Sequence, residues 1–133
     1  MKNLLFLSVL ISQVAFSQLG THKDLIFKQE NQNYFEKVEF EGYTVYNFIG
    51  KIEKSIGGDC PEIVSYFIYD KTENCFQVNY NSCSEAVNTY VKFLNKIAVE
   101  IGHYKWKDYQ NNSVYKLEVN GKFCSVHHYW EKI

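Results

Sequence analysis

The fold is decided by one stretch of the chain, residues 64–80, which reads VSYFIYDKTENCFQVNY. Apolar residues alternate in both halves of it, as in two strands that each bury one face, and residues 70–74 between them are typical of a turn. In one antiparallel register all the alternating apolar side chains share a face. That register pairs Val64 with Tyr80, Tyr66 with Val78 and Ile68 with Phe76. We therefore predict a central hairpin in which these side chains are buried.

A long amphipathic helix is predicted directly after this hairpin, over residues 85–101. Ser82 and Glu85 have the spacing of a capping box, and Gly102 stands where a helix C-cap belongs. Between them apolar residues recur at helical spacing, and this stripe should pack against the buried face of the hairpin. The stripe consists of Val87, Tyr90, Val91, Leu94, Ile97, Ala98 and Ile101.

A short helix is predicted before the sheet. Thr21 is a suitable N-cap and Asp24 an acid in the first turn, so the helix should run to about Glu30. It should turn Leu25 and Ile26 toward the core.

Two further hairpins complete the predicted fold. The first joins strands over residues 35–40 and 43–49 through Glu41-Gly42, and the second turns at Asn120-Gly121. In the second, the inward residues are Tyr115, Leu117, Val119, Val126, His128 and Trp130. The order α-β-β-β-β-α-β-β predicts an α+β fold, in which a mainly antiparallel sheet of about six strands packs on one long helix as a two-layer sandwich.

The N-terminal segment, residues 1–17, has the composition of a cleavable export signal. Lys2 precedes an apolar run, and Ala15-Phe16-Ser17 supplies the small residues that a signal peptidase requires before Gln18. The alternative is a membrane anchor, but the run of about 13 residues is shorter than the about 20 that a bilayer needs. We expect a secreted or periplasmic protein that has one domain, residues 18–133, and no stable membrane insertion.

Charge and composition exclude one class of partner. The chain has no arginine, and removal of residues 1–17 leaves 13 lysines against 15 acidic residues. Such a balance lacks the basic field of a nucleic-acid-binding protein, and bidentate phosphate clamps need arginine. We expect an unidentified protein or glycan partner and no nucleic acid.

The four cysteines suggest disulfides, because the predicted compartment is oxidising. The register of the hairpin brings Cys60 close to Cys83, where a bridge would contribute about 3 kcal/mol. Cys75 and Cys124 are a possible second pair that needs adjacent strands and a bulge. The alternative for Cys124 is a buried free thiol.

Chemistry-bearing residues form no pattern that predicts a reaction. Cys124 and His128 lie four residues apart on one strand, about 13 Å, which is too far for a nucleophile and its base. His127 points to the opposite face, so the two histidines cannot chelate one ion together. No phosphate-binding, dinucleotide-binding or hydrolase motif occurs. We predict no catalytic, metal-binding or cofactor-binding residues.

An aromatic and basic segment between the long helix and the last hairpin is the candidate binding loop. It contains Tyr104, Lys105, Trp106, Lys107 and Tyr109. Such a loop can stack on sugars or anchor a protein partner. The alternative is that Trp106 folds back to fill the edge between helix and sheet.

Part of the chain resembles small exported proteins of Bacteroidota-type bacteria that have no assigned activity. The residues that carry the resemblance are Asn88-Thr89-Tyr90-Val91, Phe93, Asn95-Lys96, Trp106-Lys107-Asp108-Tyr109, Val114-Tyr115-Lys116 and Cys124. The segment Gly20-Thr21 with Asp24-Leu25-Ile26 also resembles the first helix of periplasmic modules related to β-lactamase inhibitor proteins. Both resemblances imply export and a binding module.

The sequence thus favours a non-enzymatic exported binding module. Two other functions stay open: a small secreted hydrolase with a site assembled from scattered residues, and a structural component of the cell envelope. A hydrolase should show convergent polar groups in a cleft, whereas a binding module should show an exposed aromatic surface.

The register of the hairpin predicts a Cys60–Cys83 disulfide. A peptide map of the exported protein without reduction should contain the peptides of Cys60 and Cys83 joined. A map in which Cys60 is free, or is joined to another cysteine, would contradict the prediction.

Overall fold

The computed structural model describes residues 18–50 and 61–131. The predicted export signal, residues 1–17, and Cys60 therefore lie outside the described residues. The helices are α1 (Lys23–Glu30), a 3-10 turn (Ser84–Ala86) and α2 (Val87–Ile97). The strands are β1 (Glu36–Phe40), β2 (Tyr43–Gly50), β3 (Glu62–Tyr69), β4 (Cys75–Cys83), β5 (Val99–Gly102), β6 (Lys105–Asp108), β7 (Ser113–Asn120) and β8 (Phe123–Trp130).

All eight strands form one antiparallel sheet in the order β1-β2-β3-β4-β8-β7-β6-β5. Two meanders, β1–β4 and β5–β8, are joined where β4 pairs with β8, and α2 is the crossover between them. The α+β class and the mainly antiparallel sheet are confirmed. The prediction of about six strands and one long helix is wrong, since residues 18–50 and 61–131 alone contain eight strands and two short α-helices.

The two additional strands, β5 and β6, come from a region predicted as helix and loop. The chain leaves the helix at Ala98, which has an extended φ of −146°. Val99 and Ile101 are β-branched and favour a strand, although the spacing of Ile101 also fits the predicted helical stripe. The predicted capping box is also absent, because Ser82 belongs to β4 and no side chain caps the 3-10 turn or α2.

The register of the central hairpin is confirmed at two pairs and wrong at the third. Val64 lies opposite Tyr80 and Tyr66 opposite Val78, but a bulge after Phe67 places Ile68 opposite Cys75. Because one extra residue reverses the faces of a strand, Cys75 takes the buried position predicted for Phe76. Phe76 therefore lies on the other face of the sheet.

Both described helices pack on one face of the sheet, which we call the inner face. Ile26 of α1 is buried, while Leu25, also predicted inward, is exposed. Tyr90 and Leu94 of α2 join the same core, together with Tyr66 of β3. The other buried apolar residues of this core are Phe48, Val64, Ile68, Cys75, Val78, Tyr80, Ala86, Trp106, Tyr115, Leu117, Cys124 and Val126.

The start of α1 also differs from the prediction in its cap. His22, not Thr21, is the N-cap, and its Nδ1 accepts a hydrogen bond of 3.2 Å from the Asp24 amide. The helix ends at Asn31, whose φ of 51° is left-handed.

No helix in the described ranges is long and apolar enough to cross a membrane.

The positions of Cys75 and Cys124 contradict the possible second disulfide. Cys75 and Cys124 have buried free thiols. Cys124 pairs with Ser82 near the end of β4, whereas Cys75 begins that strand. The two cysteines are therefore separated by about 23 Å of strand, far beyond disulfide reach. Cys83 is not one of the free cysteines, and its pairing with Cys60 stays a prediction.

The packing of Leu94 predicts the cost of its truncation. Leu94 is fully buried between α2 and the sheet, so Leu94→Ala should lower the free energy of unfolding by about 2–5 kcal/mol. Urea unfolding measures it. The control is Lys92→Ala on the exposed side of the same helix, which should change stability by less than about 0.5 kcal/mol. A loss under about 1 kcal/mol for Leu94→Ala would contradict this packing.

Candidate binding surface

The face of the sheet opposite the helices, which we call the outer face, is the candidate binding surface. Directly paired residues in an antiparallel sheet share a face, so the strand pairing assigns each side chain. Tyr43, Phe67 and Asn79, for example, lie opposite in phase to the buried Thr44, Tyr66 and Tyr80. No helix from the described ranges covers this face.

Five aromatic side chains form a continuous patch on the half of the outer face built from β1–β4. We call this set the aromatic patch: Phe40, Tyr43, Phe67, Tyr69 and Phe76. Tyr69 and Phe76 stack with ring centroids 4.1 Å apart, and Phe40 stacks on Tyr43 at 4.9 Å. Tyr43 connects the two pairs through an edge contact of 5.5 Å with Phe76. The patch is thus one cluster across four strands.

Local backbone features place these rings. The bulge after Phe67 turns Phe76 outward, where it meets Tyr69. At the other end, the β1–β2 turn contains Gly42 with φ of 87°, a conformation that favours glycine. This turn sets Phe40 opposite Tyr43. About half of the surface of Phe40 and of Tyr69 stays exposed to solvent.

A row of polar side chains crosses the outer face beside the patch. Asn47 donates to Glu36 Oε1 at 2.7 Å, and Ser65 donates to Asn47 Oδ1 at 2.6 Å. Ser125 donates to Asn81 Oδ1 at 2.8 Å, and the Asn81 amide reaches Ser65 Oγ at 3.4 Å. The row therefore links β1, β2, β3, β4 and β8 with hydrogen-bonded amides and hydroxyls.

A second group of polar side chains lies on β4, β8 and β7. Gln77 donates to Asn79 Oδ1 at 2.9 Å, and His127 Nδ1 lies 3.0 Å from the same oxygen. His127 Nε2 lies 3.4 Å from Glu118, which also pairs with Lys116 at 3.3 Å. The hydrogen bond from Lys116, more than the nearby His127, lowers the pKa of Glu118. These mutual contacts hold the side chains in fixed positions, which lowers the entropy cost of binding.

The segment predicted as a binding loop is mostly a strand. Lys105, Trp106 and Lys107 belong to β6, and Trp106 is 1% exposed on the inner face. Its Nε1 donates to Asn95 of α2 at 2.8 Å. Trp106 thus packs between the helix and the sheet, as the alternative interpretation had it, and a ligand cannot reach its ring. Tyr109 is exposed, with Lys107 Nζ 4.8 Å from its ring centroid, and Tyr104 is half-buried.

Sequence reasoning missed the aromatic patch, although one signal was present. Residues 66–69 read Tyr-Phe-Ile-Tyr, so both faces of β3 carry large apolar side chains. A strand covered on one face only normally alternates with polar residues. The departure at Phe67 and Tyr69 marks the outer face as a second apolar surface.

Ser113 and His128 on the inner face are residue types that hydrolases use, but a substrate cannot reach them. His128 Nε2 lies 2.9 Å from Ser113 Oγ, and Asp108 pairs with Ser113 across β6 and β7. Ser113 and His128 are both buried in the core. The Asp108 carboxylate accepts instead from Gln110 and Asn111 of the following turn. A substrate could not reach this serine, so the pair does not support hydrolysis.

Two carboxylates on the inner side bind tyrosine hydroxyls. Tyr66 donates to Glu30 of α1, and Tyr90 of α2 donates to Glu62. A Cβ at Gly50 would lie 2.6 Å from the Glu62 carboxylate, so glycine at this position makes room for it. Burial raises the pKa of Glu62, and the charge of Glu30 adds to this shift. These contacts fasten both helices to β3. Among the described residues no three metal-ligating side chains come together.

Comparison with known proteins gave no relative. No family model, curated protein or solved structure matches the chain. The candidate surface therefore rests on the geometry of the chain itself.

Trp106 provides a direct test of the predicted loop. Trp106→Ala removes a buried indole and should lower the free energy of unfolding by about 3–5 kcal/mol. Tyr109→Ala, on an exposed neighbour, should change it by less than about 0.5 kcal/mol. Urea unfolding of both variants compares them. If Trp106→Ala kept the wild-type stability, the placement of this ring in the core would be wrong.

The burial of His128 predicts a pH dependence of stability. Burial lowers its pKa from 6.5 to about 4. The unfolded chain therefore binds a proton that the folded protein does not bind until the pH falls to about 4. Stability should be fully present above pH 6.5 and fall by about 3 kcal/mol between pH 7 and pH 4 from this group. Urea unfolding at pH 7 and pH 4 measures this loss. For His128→Phe, the fall in the free energy of unfolding between these pH values should be smaller than for the wild type by about 3 kcal/mol. An equal loss in both proteins would contradict the prediction.

Proposed function

We propose that this protein is a non-enzymatic exported module that binds another protein through the outer face of its sheet. The observation that carries the proposal is the aromatic patch, a cluster of five rings that the described helices leave uncovered. Large exposed apolar clusters on soluble domains mark interaction sites.

The composition of the outer face favours a protein partner. Protein interfaces have aromatic centres that are poor in charge, surrounded by a polar rim. The aromatic patch would supply such a centre, and the hydrogen-bonded amides and hydroxyls of Asn47, Ser65 and Asn81 lie beside it. Rings stacked on one another at 4.1 Å and 4.9 Å cover each other's faces. The exposed parts of these rings are therefore mainly their edges, which suit contact with an apolar protein surface better than the flat stacking that a sugar needs.

The size of the face also fits. The eight strands contain 54 residues. At about 3.3 Å per residue and about 4.8 Å between strands, they cover about 850 Å². A standard protein interface buries about 800 Å² on each partner. The outer face is thus large enough to form a specific complex.

Site-specific photocrosslinking in the producing cell tests the proposal. A photoreactive phenylalanine analogue is placed at position 69 on the outer face, or at position 25 on α1. The native residues there, Tyr69 and Leu25, are 47% and 48% exposed, so exposure is matched. Position 69 should give an adduct with a second protein species, and position 25 should not.

Three results would contradict the proposal. The first is equal adducts at both positions, and the second is no adduct at position 69. The third is an adduct at position 69 that contains only a second copy of this chain, because that would make the outer face a homodimer interface.

A further inference from the structure

Strand β1 (Glu36–Phe40) is an open edge of the sheet. It pairs with β2 on one side, and no strand in the described ranges pairs with its other side. All five of its residues are exposed, including the apolar Val38 at 37% and Phe40 at 48%. An edge of this kind presents backbone N–H and C=O groups to which another strand can bind.

The pairing with β2 identifies the backbone groups that are open. Phe40 and Tyr43 face each other across a two-residue connection, so they exchange both backbone hydrogen bonds. Hydrogen-bonded and non-hydrogen-bonded pairs alternate along an antiparallel ladder. Val38 is therefore also bonded to β2, whereas the N–H and C=O groups of Lys37 and Glu39 point away from the sheet.

The sequence of β1 is complementary to itself in one antiparallel register. When Val38 lies opposite the Val38 of a second copy, Lys37 lies opposite the second copy's Glu39, and the two-fold axis repeats this pair. These are the residues whose backbone groups are open, so their backbones can exchange hydrogen bonds across the axis. Their side chains bring opposite charges together, which stabilises a cross-strand pair.

The other edge of the sheet, β5, lacks this complementarity. It is also exposed, but the register that sets Val99 opposite the Ile101 of a second copy sets Glu100 opposite Glu100. Like charges that face each other directly destabilise a strand pair. Pairing of β1 with β5 of another copy would leave an edge open at each end and continue as a filament. The charges therefore favour pairing of β1 with β1.

We propose that two copies of this chain pair antiparallel through β1, so that their eight-stranded sheets form one continuous sheet. Directly paired residues share a face, so the two outer faces lie on the same side and the dimer presents two aromatic patches there. A contact of five residues per chain is smaller than a standard interface, so the dimer is weak and dissociates on dilution.

Disulfide trapping tests the register. Val38 lies on the two-fold axis in a non-hydrogen-bonded pair, where Cα atoms are about 4.5 Å apart, within disulfide reach. Val38→Cys should therefore give a covalent dimer under mild oxidation, with two peptides joined at position 38. The control is Ile101→Cys on the other edge, where the native residue is 42% exposed against 37% for Val38.

Two results of the trapping experiment would overturn the proposal. One is a yield of covalent dimer from Val38→Cys that does not exceed the yield from Ile101→Cys. The other is a dimer in which position 38 is joined only to a native cysteine.

Charge reversal tests the complementarity. Lys37→Glu and Glu39→Lys each set two like-charge pairs across the axis and should weaken the dimer at least about tenfold in sedimentation equilibrium. The double variant restores opposite charges and should restore the dimer. Both native side chains are exposed, so urea unfolding in dilute solution should show equal stability for all variants. A wild-type protein that is monomeric at about 1 mM, or a double variant as monomeric as the single ones, would overturn the proposal.

These experiments are independent of the proposed function. Tyr69 lies opposite Tyr43, which lies opposite Phe40 at the edge, so position 69 is three strand spacings, about 14 Å, from β1 of the second copy. A crosslink at position 69 therefore reports on the partner of the outer face, and the variants of β1 report on the dimer.

Discussion

The pairing of β4 with β8 holds the structure together. Each half of the sheet is a meander whose strands pair with their neighbours in sequence. Among the described strands, only the β4–β8 ladder, from Gln77–Tyr129 to Cys83–Phe123, pairs one meander with the other. It closes a loop of about 40 residues, which costs entropy that local pairing does not. The crossover helix α2 offsets this cost by burying Tyr90 and Leu94 over the joint.

This joint also determines which surface is open. Because the crossover passes over the inner face and α1 packs on the same side, neither described helix covers the outer face of the eight antiparallel strands. Antiparallel sheets tolerate such an arrangement, since the strands satisfy their own backbone groups and one face can meet solvent. Here the open face has unusual contents, with an aromatic patch on β1–β4 and a rigid polar network across β4, β8 and β7. The proposed binding site is thus a consequence of the topology.

The sequence predicted the features that follow from a regular spacing of apolar residues. The predictions were wrong where that spacing fits both a helix and a strand, or where a bulge interrupts it. The pairs Val64–Tyr80 and Tyr66–Val78 followed from alternation, but the bulge after Phe67 has no signal in the pattern, so Phe76 was assigned to the wrong face. Ile101 has the spacing of the predicted helical stripe but belongs to β5, and β6 is too short to show alternation around Trp106. The aromatic patch could not be derived without the bulge, because its closest stack joins Tyr69 to Phe76 across it.

Amide hydrogen exchange tests the central role of the β4–β8 pairing most directly. The slowest amides should belong to the paired residues of β4 and β8 around Tyr80 and Val126, and they should exchange only by global unfolding. The edge strands β1 and β5, each exposed along its whole length, should exchange by local opening and much faster. If amides around Tyr80 and Val126 exchanged as fast as those of β1, the two meanders would open independently. The β4–β8 joint would then not be the constraint on which the fold depends.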